Sequence, residues 1–135
     1  MEEENESQLR KYTLEEANAL VAEARPVLTQ LRDIWQEADN ERGTFEQAQR
    51  SATSPVNVSL AHQQLVSALW EVQPLVSWLR RHDIVLRDPA TGLVDFFAEI
   101  AGEDGYLCWR LGEDEILHWH GLDEGFSNRK PLPNT

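Results

Sequence analysis

The stretch IVLRDPATGLVDFFAEIAGEDGYLCWRLGEDEILHWH, from Ile84 to His120, decides the fold. Its apolar residues fall into short runs rich in β-formers, IVLR, LVDFF, YLCWRL and ILHWH, separated by the turn chemistry of DPATG, AGEDG and GEDE. Proline presets one turn position and glycine supplies positive φ, so DPATG and GEDE suit hairpin connections. The reading is a three- to four-stranded antiparallel sheet over 84–120, with one face that needs cover.

Upstream of it the period changes. Thr13 and Glu16 stand in the relation of a capping box, and Leu14, Ala17, Val21, Ala24, Leu28, Leu31, Trp35 and Ala38 follow at alternating steps of three and four. Leu20, Val27 and Ile34 widen the same face. A helix is predicted from Thr13 to the region of Arg42, kinked at Pro26. Gly43 to Pro55 loses the periodicity and reads as a linker, although its first half can extend the helix. The spacing returns with Val58, Ala61, Leu65, Ala68, Val72, Leu75 and Leu79, a second helix ending near His82. At about 1.5 Å per residue each helix is on the order of 40 Å long. The chain is therefore read as a single α+β domain over 13–135: two long antiparallel helices (a helical hairpin, 13–82) packed on the small sheet (84–120), then a C-terminal loop (121–135). Residues 1–12, mostly acidic or polar, read as a flexible tail. The apolar seams of the helices are longer than such a sheet can cover, which leaves surface for pairing with a second copy as a homodimer.

Composition narrows the function. With 135 residues the chain has the size of one domain, and 24 acidic against 12 basic residues give a formal charge of -12. That charge repels phosphate backbones and anionic bilayers, so neither nucleic acid nor membrane is an expected partner. A lone Cys108, a polar N-terminus without a signal-peptide pattern and the lack of any long apolar run lead to the expectation of a cytoplasmic protein.

The chemistry-bearing residues gather near the C-terminus. His118 and His120 share a strand face by their spacing and read first as strand histidines hydrogen-bonded locally, with no cofactor expected; the alternative is that Glu124 completes a two-histidine, one-carboxylate set for a divalent iron, manganese or zinc ion. The spacing from Gly112 to Glu124 also resembles the first metal motif of the cupins, without its trailing glycine, although four strands cannot build that barrel. Cys108 is either a buried core residue or a nucleophile served by one of the two histidines, and the hairpin register decides whether they share a face. Arg110, Arg129 and His120 can converge on a carboxylate or phosphate, with Trp109 and Trp119 as apolar walls. Asp95, alone in an apolar strand, needs a partner, and Arg110 is the first candidate. Gly-rich phosphate loops, nucleophile elbows and paired cysteines are absent from the sequence.

The start YTLEEANAL, the segment DPATGLVDF and the C-terminal pattern LCWRLGE…I..WH…GF..R.P resemble a bacterial and archaeal family known as domain of unknown function two-two-zero-three. The resemblance implies the same helix-then-sheet order, no established activity, and weight on Tyr12, Asp88, Gly92, Asp95, Cys108, Trp109, Arg110, Gly112, Glu113, Trp119, His120, Gly125, Phe126 and Arg129. The chain departs from the family pattern at Asp83, where glycine tends to follow the second helix. The function expected is a binding or protein-interaction module whose patch, Asp95, Arg110, His120, Arg129, Trp109 and Trp119, receives a protein partner or a small anionic ligand. The alternative is a metal-dependent protein or enzyme using His118, His120 and Glu124.

Overall fold

The computed structural model describes residues 8–50 and 55–133. Helix α1 (Leu14–Arg50) and helix α2 (Pro55–Arg81) precede strands β1 (Ile84–Asp88), β2 (Leu93–Ile100), β3 (Glu103–Arg110), β4 (His118–Gly121) and β5 (Lys130–Pro131), with one 3₁₀ turn at Phe126–Asn128. The strands pair antiparallel in chain order, making one sheet of the α+β class expected. Among the described residues no helix is long and apolar enough to cross a membrane.

The capping box closes as its spacing requires. Glu16 N–H donates to Thr13 Oγ1 at 3.0 Å and Thr13 N–H donates to Glu16 Oε1 at 3.0 Å, satisfying backbone donors that the first turn leaves free. Beyond it, α1 runs through Pro26 and Gly43 to Arg50, because the residues after Gly43 include the good helix formers Glu46, Gln47, Ala48 and Gln49. The linker read over Gly43–Pro55 is corrected, since Gly43–Arg50 belong to α1 and Pro55 opens α2; residues 51–54 lie outside the described residues. The matched helical hairpin is corrected as well: the structure has one long helix of 37 residues and a bent one of 27. Pro74 inside α2, which a reading by apolar period passes over, removes a ladder hydrogen bond there.

Both helices cover one face of the sheet. Ala17, Val21, Ala24, Leu28 and Leu31 of α1 and Val72 and Leu79 of α2 form a continuous core with Ile84, Val94, Phe96, Ala98, Ile100, Leu107 and Trp109. The tail read over 1–12 ends earlier than expected. Met1 to Ser7 lie outside the described residues, but Tyr12 is buried in the core, its N–H donating to Phe97 O at 2.8 Å and its hydroxyl donating to His82 O. Lys11 adds ion pairs to Glu99 and Asp104 at 3.6 and 3.0 Å.

Turn chemistry sets the sheet's corners. Asp88 ties the DPATG turn by accepting from Ala90 N–H at 3.1 Å and from the Thr91 hydroxyl at 2.9 Å. Between β2 and β3, Ala101 (φ 53) and Gly102 (φ 87) make the two-residue loop with both φ positive that matches the twist of a hairpin. After α2, Asp83 holds the left-handed conformation (φ 56) that glycine favours, and its carboxylate accepts Arg10 N–H at 3.1 Å. The sheet has five strands where three or four were expected. The fifth, Lys130–Pro131, comes from the segment read as a loop over 121–135, and two residues are too few to show a period.

Candidate functional site

Alternation along the strands puts a second residue set on the face away from the helices. Asp95 lies opposite Cys108 and Cys108 opposite His118, while Tyr106 lies opposite His120. The hairpin register is thus the one that brings Cys108 and both histidines to one face. On this face Asp95, Phe97, Tyr106, Cys108 and His120 are buried.

A buried ion-pair network forms the centre of this face. The Asp95 side chain, 1% exposed, accepts at Oδ2 from Arg87 Nε at 2.7 Å and from His120 Nε2 at 2.9 Å. His120 Nδ1 lies 2.9 Å from Gly121 O, so both ring nitrogens face oxygen atoms. Asp95 Oδ1 is buried without a hydrogen-bond partner. The expected Asp95–Arg110 pair is corrected to Asp95–Arg87. Arg110 pairs with Leu93 across the ladder, at the sheet's end, whereas Arg87 lies two residues beyond Val85, the strand neighbour of Asp95.

Cys108 sits inside this network as a free, buried thiol. Burial first, and then the adjacent Asp95 carboxylate, push it up to about 12, with Arg129 acting the other way. A thiol raised this way carries little thiolate near neutral pH, which weighs against Cys108 as a nucleophile in the metal-free chain.

Around the network lies a rim of arginines. Arg129 donates through one nitrogen to Glu113 Oε2 and to His118 Nδ1, each at 2.7 Å, while its Nε is buried and unpartnered. Glu113 also accepts the Arg110 backbone N–H at 2.9 Å. The Arg110 and Arg129 guanidinia both lie over the Phe126 ring, at 5.1 and 4.7 Å from its centroid. Arg110 is exposed, and among the described residues no carboxylate forms an ion pair with its guanidinium.

The tryptophans expected as walls lie elsewhere, because a strand turns successive side chains to opposite faces. Trp109, beside Arg110, is fully buried on the helix side, its Nε1–H donating to Glu113 O at 3.0 Å and the Arg25 guanidinium lying 5.3 Å from its ring centroid. Trp119 packs at the edge of the same core under Lys130.

His118 and His120 do share a face, but their side chains and Glu124 have separate engagements. Glu124 Oε1 accepts Gly121 N–H at 2.7 Å and pairs with Lys130 at 3.2 Å, contacts that hold its carboxyl below the usual range. Among the described residues the donor atoms that do gather are those of Asp95, Cys108 and His120, within 4.8 Å of one another.

Arg87 escaped the sequence reading, and Glu113 entered it only through the family resemblance, without a role. Arg87 could have been found by carrying the alternation of IVLR across a paired β1–β2, and Glu113 by noting that it stands three residues after Arg110, within reach of a turn.

Residues 10–132 match the family model described as Uncharacterized conserved protein (DUF2203), and the chain belongs to that family. No curated protein and no solved structure matches it.

Proposed function

We propose that this member of the DUF2203 family is a cytoplasmic binding module whose outer sheet rim receives a carboxylate or phosphate group. The observation that supports the reading is Arg110: an exposed guanidinium held over Phe126 and, among the described residues, without an ion-paired acid, in a chain with twice as many acidic as basic residues. Its neighbour Arg129 is fixed by Glu113 and His118, so two planar donors flank one aromatic ring in a set geometry. The buried Asp95–His120–Arg87 network holds strands β1, β2 and β4 together beneath the rim and does not itself meet the ligand. Fluorescence polarisation of a labelled glutamate-rich peptide tests this. Binding that is lost in Arg110→Ala while circular dichroism stays unchanged supports the rim; equal binding by that variant overturns it.

The helices carry a second, separate surface. Pro55–Trp70 contains no Asp, Glu, Lys or Arg, and Leu60, Val66, Leu69 and Trp70 on it are exposed, Trp70 by 71%. A second copy of an acidic chain can approach there without setting acid against acid, which favours pairing between copies along α2.

A further inference from the structure

We propose that Asp95, Cys108 and His120 form a binding site for a divalent transition metal of zinc-like softness, independent of the anion rim. Each residue offers one donor atom, all three side chains are buried, and they come from three adjacent strands, β2, β3 and β4. A tetrahedral ion with bonds of about 2.0–2.3 Å separates its donors by roughly 3.3–3.8 Å. Donor atoms within 4.8 Å of one another need to close by an amount on the order of an ångström to reach that spacing.

The surroundings suit each donor to this role. Asp95 Oδ1 is buried and lacks a partner, so it can bind an ion while Arg87 stays on Oδ2. His120 Nδ1 donates to Gly121 O, which fixes the ring and leaves Nε2 as the ligand atom, the arrangement by which backbone carbonyls orient metal-bound histidines. Thiolate, imidazole and carboxylate together favour zinc, cobalt or ferrous iron over magnesium or calcium. Three protein donors leave a fourth position for water. His118 and Glu124 are engaged with Arg129, Gly121 and Lys130, so of the set expected from sequence only His120 belongs.

Proton balance follows from the apo contacts. The thiol of Cys108 gives up its proton to solvent as the metal–sulfur bond forms, and His120 binds through Nε2 as the neutral imidazole. Uptake therefore strengthens as pH rises.

Cobalt(II) titration of the chelator-treated, reduced full chain is the test. The expected result is one cobalt per chain with near-ultraviolet thiolate-to-metal absorption, retained in His118→Gln and Glu124→Gln and abolished in Cys108→Ser. Zinc X-ray absorption on the unaltered chain, which needs no variant to fold, is expected to show one sulfur at about 2.3 Å. Absence of stoichiometric uptake, a zinc shell without sulfur, or uptake that survives Cys108→Ser and fails in Glu124→Gln overturns the proposal.

Discussion

Asp95 is the residue on which the outer face depends, because one buried carboxylate oxygen serves two cationic side chains. Asp95→Ala is expected to cost about 3 kcal/mol, the low end of the range for breaking a buried pair, since Arg87 is 42% exposed and can turn to water. Arg87→Ala is expected to cost less, as Asp95 keeps His120. Urea unfolding of both variants checks the order, and a larger loss for Arg87→Ala contradicts it. Cys108 makes a second, pH-dependent expectation. Its thiol is raised from 9.0 to about 12 in the fold, so between those values the unfolded chain has released its proton while the folded chain holds it. Stability contributed by the neutral thiol is fully present below pH 9 and falls with rising pH through this window, by about 1.4 kcal/mol per unit. The wild-type chain should lose stability faster than Cys108→Ser from pH 9 upward; parallel curves would show that the thiol titrates normally.

At the scale of elements, local signals were legible where they involve near neighbours. The Thr13–Glu16 cap, the seam of α1 and the period-two runs of β2 and β3 each predict their element, because the residues that form it are close in the chain. Longer reach was less visible. Pro74 and the helical run after Gly43 do not alter an apolar period, so the length of α1 and the bend of α2 are missed while the end of α2 is met, and β5 has no pattern of its own. Close packing between strands is equally silent in sequence. A Cβ on Gly105 would stand 2.8 Å from His120 O and 3.2 Å from the Trp119 ring, so Gly105→Ala should cost about 1–3 kcal/mol by pushing β4 away from β3, read as a lower urea midpoint. For α2, Trp70→Glu is expected to abolish concentration-dependent association in sedimentation velocity; a wild-type chain that stays monomeric at high concentration would remove the α2 surface from consideration.

Across the whole molecule, the two faces of one sheet divide the work. The helix side supplies the apolar core, and the outer side concentrates Arg87, Arg110, Arg129 and two histidines on a chain of formal charge -12. The sequence located this cluster by residue type, and the strand register sorted it: Trp109 and Trp119 went to the core, Asp95 and His120 into a buried pair, and Arg110, Phe126 and Arg129 to the rim. That sorting depends on which residues pair across strands, which composition and spacing along one strand do not contain. The central claim is that the exposed rim binds an anionic group. The most direct measurement is a two-dimensional amide NMR titration of the labelled full chain with inorganic phosphate and with a glutamate-rich peptide. Saturable shifts clustered at Arg110, Phe126 and Arg129, and absent in Arg110→Ala, are the expected result. Shifts scattered over the surface, or centred on α2, would contradict it.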